Sequence, residues 1–140
     1  MITPWAAGEA PQTHPIVKND DVVRVRQLAR TLAQQCKLSL VDQTKFITAA
    51  SELARNTLVY GGGGLLTAGL VRKDTRVGVA AIFSDDGPGI PDIELAMTDG
   101  WTSGSGLGLG LSGARRLVDE FDLKTEAGNG TTVTVVKWSR

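Results

Sequence analysis

Seventeen glycines stand among 140 residues, about 12% where an average protein carries roughly 7%. The surplus is clustered: four lie at Gly61 to Gly64 and eight more between Gly87 and Gly113. Glycine runs of this kind interrupt helices and strands and let backbone approach another group closely, so they mark loops that hold something. Between the clusters the chain is ordinary. Its 41% hydrophobic and 21% charged residues suit one globular domain, which at this length buries roughly 70% of its unfolded surface without disulfides or a structural metal. One cysteine and one histidine exclude an internal bridge and zinc-ligand spacing. Cys36 falls on an apolar helical stripe and reads as a buried small hydrophobe, and His14, before Pro15, reads as structural or exposed.

Fifteen basic residues balance fifteen acidic ones, which removes the broad positive field of a nucleic-acid or anionic-membrane binder. No apolar run, Val77 to Phe83 included, approaches a bilayer span, and no basic segment followed by an apolar core opens the chain. The expected setting is cytoplasmic.

Residues 1–12 read as an irregular N-terminal extension and 13–140 as the domain proper. A first strand is expected at about His14 to Lys18. Asp20 or Asp21 would cap a helix with Val25, Leu28, Leu32 and Cys36 on its apolar side, ending near Lys37. A second helix, about Val41 to Tyr60, would turn Phe46, Ala49, Ala50, Leu53, Thr57 and Tyr60 inward and stop at the glycines. Strands at Leu65 to Arg72 and Val77 to Ser84 would follow, joined at Lys73 to Thr75. A short helical turn at Asp92 to Met97, a helix at Leu111 to Glu120 and a hairpin of Leu123 to Glu126 with Thr131 to Trp138 complete the expected order.

Three segments carry residues suited to chemistry. In ELARNTLVYGGGG, Glu52 and Asn56 are one helical turn apart and can address one ligand. A carboxylate there can take a proton from a hydroxyl, and a carboxamide oxygen can ligate Mg²⁺, although polar residues four apart commonly form a solvated face. In FSDDGPGI, Asp85 follows an apolar strand and precedes Gly87 and Gly89 at alternate positions. Such an acid can accept a hydrogen bond from an amino group while the glycines let a flat ring lie against backbone; a ligand-free turn would use the same residues. In GSGLGLGLSGARRLVDEF, Gly104, Gly106, Gly108 and Gly110 lead into a helix whose N–H groups can cradle phosphate oxygens. Gly108 to Gly113 matches GxGxxG, yet no strand precedes it as a dinucleotide fold requires, and no GK[ST] follows any glycine as a Walker A loop requires.

Taken together in this order, the segments resemble the GHKL ATPase and kinase superfamily. Glu52 to Asn56 resembles its N box, Asp85 to Gly89 its G1 box, Gly106 to Leu111 its G2 box, and Gly128 to Thr131 its closing GxGT. The segment ending in DGWTSGSGLGLGL, the RRLVDEF helix and the terminal VKW are similar to the RsbT-type serine/threonine kinases of the anti-sigma regulatory group. The resemblance implies a two-layer α/β sandwich of the GHKL (Bergerat) type, a mixed sheet with helices on one face. It implies ATP and Mg²⁺ as cofactors, Glu52 as general base and Asn56 as Mg²⁺ ligand. It also implies Asp85 on the adenine amino group with help from Thr131, Gly87 and Gly89 shaping the base pocket, and Gly104, Gly106, Leu107, Gly108, Gly110 and Leu111 about the phosphates.

Implied partners are a STAS-domain antagonist protein as phosphorylation substrate and a PP2C-type phosphatase regulator in a stress-response partner switch, with neither nucleic acid nor membrane. The gyrase and chaperone branches carry longer lids and further domains, and the sole histidine beside Pro15 cannot serve as a phosphoacceptor. Two alternatives share every ATP motif: an anti-sigma-factor kinase that binds sigma directly, and a non-catalytic nucleotide-dependent switch. The extension through about Gln12 and the bulky Leu109 depart from the group's pattern without removing a catalytic residue.

Overall fold

Alternation decides the central strand. In RVGVAAIFSD, Val77, Val79, Ala81 and Phe83 share one face, and burying that face demands a partner layer. The computed structural model, which describes Trp5, residues 10–90 and residues 110–140, supplies it with helices. The order is β1 (Gln12–Ile16), α1 (Asn19–Gln35), α2 (Leu40–Val59), β2 (Gly64–Lys73), β3 (Arg76–Asp85), α3 (Gly110–Arg116), β4 (Glu120–Glu126) and β5 (Gly130–Trp138). The sheet runs β1-β2-β3-β5-β4. Between helices and sheet lies a core that includes Ile16, Val25, Leu32, Phe46, Leu53, Leu66, Val79, Phe83, Val133 and Val135. Each large side chain so buried stabilises the fold by about 1.5–3 kcal/mol relative to exposure. On the other face, Val71, Ala80, Val136 and Trp138 are buried with Trp5 packed against them, and Trp5 forms an isolated bridge with Val71.

The two-layer α/β sandwich implied by the resemblance is present. One detail is corrected: every described strand pairing is antiparallel, where a mixed sheet was expected. Two helices between β1 and β2 return the chain to the end from which it left, so these neighbours oppose each other. β3 and β4 do run in the same direction, but β5 lies between them and opposes both.

Three local expectations also shift. The α1 helix begins at Asn19, so Asp21 caps it from inside the first turn: its Oδ2 accepts from Val17 N at 2.9 Å and Lys18 N at 3.1 Å. Those bonds, chiefly that from Val17, hold the Asp21 carboxyl below its usual range, with Arg24 at 2.7 Å assisting. Tyr60 is 43% exposed instead of inward, because it caps α2 where the glycines carry the chain away. The third helix stops at Arg116 and not near Glu120, since tertiary bonds recruit the acids that follow. Asp119 N donates to Val136 O at 2.9 Å, its carboxylate accepts from Trp138 N at 2.7 Å, and Glu120 accepts from the Trp138 indole at 2.7 Å.

Cys36 is buried, as expected, and burial pushes its thiol up to about 11. At the end of β5, buried Lys137 stands 3.5 Å from both Asp42 and Asp119, which ties the first turn of α2 to the last strand. The expected turn at Asp92 to Met97 lies outside the described residues.

Candidate nucleotide site

Helix α2 presents the first pair. Ser39 caps it by accepting from Asp42 N at 3.1 Å, and Ala49, Ala50, Leu53, Ala54 and Thr57 bury one stripe. Glu52 and Asn56 lie at the half-buried margin of that stripe, one turn apart. The helix then unwinds in a controlled way. Asn56 O accepts from Tyr60 N at 2.9 Å and Gly61 N at 3.2 Å, and Thr57 O accepts from Gly63 N at 3.0 Å. Gly62 and Gly63 take φ of 73° and 102°, a region that favours glycine.

This unwinding delivers Gly61 against Asp85, the last residue of β3. A Cβ on Gly61 would stand 2.5 Å from Asp85 Oδ2 and 2.7 Å from Asp85 Cβ, and one on Gly87 would stand 2.8 Å from Gly61 O. Asp85 Oδ1 accepts from Gly87 N at 2.9 Å, which fixes the carboxylate plane and leaves Oδ2 as the other acceptor. Asp86 is exposed, whereas Asp85 is half-buried. The N-box helix and the strand-end acid, separate in sequence, therefore meet at glycines.

One row of residues crosses the whole sheet at this end. Ile16 faces Gly64, Gly64 faces Asp85, Asp85 faces Thr131 and Thr131 faces Thr125. With neighbouring strands about 4.8 Å apart, Asp85 and Thr125 are separated by roughly 10 Å, with Thr131 between them. The loop after Asp85 is pinned to the β4–β5 hairpin. Gly128 N donates to Pro88 O at 2.8 Å, Ile90 N donates to Thr125 Oγ1 at 2.8 Å, and Gly89, at φ of 80°, packs against Glu126.

Residues 41–139 match the family model described as histidine kinase-, DNA gyrase B- and HSP90-like ATPase. The chain belongs to this family. Serine/threonine-protein kinase RsbT of Bacillus subtilis is 45% identical over 120 residues, covering 86% of this chain and 90% of the relative. An anti-sigma F factor of Clostridium novyi is 29% identical over 126 residues, with 86% of each covered. Among solved structures, a Mycobacterium tuberculosis protein with RsbU and RsbW domains superposes with a TM-score of 0.59 at 23% identity. That match takes in 92% of this chain and 33% of the other, so this chain spans a third of that structure; at such identity it speaks to fold alone.

Gly61, past the end of the helix that carries Glu52 and Asn56, stands against Asp85 and Gly87, and Thr131 is the strand partner of Asp85. Gly110 and Leu111 open α3, which packs against α2. Gly104, Gly106, Leu107 and Gly108 lie outside the described residues. Among the described residues no cluster of three His, Cys, Asp or Glu side chains gathers. Mg²⁺ commonly arrives with phosphate oxygens and takes few protein ligands, so the hard oxygen of Asn56 fits it without such a cage. Gly61 belongs to the glycine run that the sequence marks as a close-approach loop, although no motif ties it to Asp85; Thr125 carries no motif and emerges only from strand pairing.

Proposed function

We propose that this protein is a serine/threonine protein kinase of a partner switch, with a STAS-domain antagonist protein as substrate and a PP2C-type phosphatase regulator as a second partner. The observation that carries the reading is the junction of the Glu52–Asn56 helix end with Asp85 through Gly61, in a chain 45% identical to a protein named for this activity. Glu52 takes the proton of the substrate hydroxyl as its oxygen bonds to the γ-phosphorus; the bond to the β-phosphate oxygen breaks and ADP leaves. Asn56 would hold Mg²⁺, which would supply neutralisation of phosphate charge. Asp85 accepts from the adenine amino group, Thr131 assists, and Gly87 and Gly89 shape the base pocket. Gly104, Gly106, Leu107, Gly108, Gly110 and Leu111 serve the phosphates. No described helix is long and apolar enough to cross a membrane, and the proposed setting is the cytoplasm.

The test incubates the protein with Mg·ATP and a STAS-domain protein and maps phosphoserine or phosphothreonine. Glu52→Gln should retain ATP binding and lose phosphotransfer by about 10²- to 10⁴-fold. Undiminished transfer would remove Glu52 as base. The similarity to anti-sigma F factors favours a second reading, direct capture of a sigma factor. A pull-down that retains sigma and no STAS-domain or phosphatase protein would select it.

A further inference from the structure

A hydroxyl that belongs to no recognised motif stands behind the proposed base site. Thr125 Oγ1, part-buried on β4, accepts from Ile90 N at 2.8 Å, approaches Thr131 Oγ1 at 3.0 Å and Gly130 O at 3.3 Å. It has one proton to give and two places to send it. If the proton goes to Gly130 O, Thr131 must donate to Thr125 and turns lone pairs outward. If it goes to Thr131, the Thr131 proton is released for a ligand. The shorter separation is that to Thr131.

Adenine asks for the second arrangement. Its amino group donates, which suits Asp85, and the adjacent ring nitrogen accepts, which requires a proton from its partner. Hypoxanthine presents the inverse pair, a carbonyl oxygen and a ring N–H. We infer that Thr125 is a positioning residue that, through its hydrogen bond to Thr131, makes Thr131 a donor and thereby sets the preference for an adenine over a 6-oxopurine nucleotide. The inference rests on the placement of the base between Asp85 and Thr131 proposed above. The Ile90 N–H, bound to the same oxygen, occupies one lone pair and narrows the directions in which the Thr125 proton can point.

The experiment compares ATP and inosine triphosphate by calorimetry on the full chain with Mg²⁺ present, in the wild type, Thr125→Val, Thr125→Ser, Thr131→Val and the Thr125→Val/Thr131→Val double variant. Thr125→Val should narrow the ATP-to-inosine-triphosphate preference roughly 3- to 10-fold, the worth of one hydrogen bond, and Thr125→Ser should restore it. In the double variant Thr125→Val should add nothing to Thr131→Val. Equal weakening toward both nucleotides, failure of serine to rescue, or additivity in the double variant would each overturn the inference and leave Thr125 a purely structural contact. Should Thr125→Val not fold, the serine variant and Thr125→Ala carry the comparison. Asp85→Asn separates the two levels: if it leaves ATP affinity unchanged, the base lies elsewhere and the proposed site fails, whereas a loss of ATP affinity there with an unmoved preference in Thr125→Val sinks this inference alone.

Discussion

Replacing Gly61 with alanine tests the convergence of helix and strand at its tightest point. No left-handed backbone is involved, so alanine is acceptable there on conformational grounds and the demand is for space. The new methyl would stand 2.7 Å from Asp85 Cβ, where ordinary contact begins near 3.4 Å, so the two must part by about 0.7 Å. Rotating the Asp85 carboxylate gives no relief, because Cβ is set by the β3 backbone. Retreat of Gly61 strains its N–H bond to Asn56 O at 3.2 Å, and so disturbs the end of α2 instead. A shift of this size stretches a hydrogen bond of about 2.9 Å to about 3.6 Å, beyond useful range. A bond to a charged acceptor is worth about 1.5–3 kcal/mol, so ATP affinity should fall roughly 10- to 150-fold. Calorimetric titration with ATP reads this directly, with urea unfolding of the nucleotide-free protein as control. Affinity within threefold of wild type, at an unchanged unfolding midpoint, would refute the claim that Gly61 and Asp85 share one site.

Two further outcomes follow from the packing and the caps. Phe46→Ala, at a side chain 1% exposed between α2 and the sheet, should destabilise by about 3–5 kcal/mol in denaturant titration; a cost under about 1 kcal/mol would contradict its placement. Asp21 titrates below its usual value in the folded protein, so its contribution is complete above the unfolded carboxyl value near 3.9 and disappears as pH falls through the lower folded value. Unfolding midpoints should therefore decline more steeply below about pH 4 in the wild type than in Asp21→Asn, and parallel curves would reject the cap.

The parts of the fold written in local pattern were the legible ones. The stripe Phe46, Ala49, Ala50 and Leu53 and the alternation through Val77 to Phe83 specify α2 and β3 from periodicity alone, and the glycine run after Asn56 specifies where α2 stops. What escaped depended on distant partners. Asp119 and Glu120 read as the end of a helix, yet Trp138 claims both carboxylates and draws them into the sheet. The insertion of β5 between β3 and β4 has no local signature, so strand directions are not legible in the sequence, and the mixed sheet implied by the resemblance is not what the pairing gives. The same holds at the site: Glu52, Asn56 and Asp85 stand in recognisable strings, whereas Thr125 gains its place from a pairing across β5.

Asp85 and Thr131 are cross-strand partners on the core-facing side of β3 and β5. Sliding β5 by a single residue would exchange its two faces, taking Val133 and Val135 out of the helix-covered core and putting Thr134 and Val136 in their place. Their mutual alignment is consequently as durable as the whole domain, and amide exchange at these two positions should keep pace with global opening instead of local fraying. With the base placed as proposed, a purine ligand would meet this corner already preorganised, its ordering cost met when the polypeptide first folded.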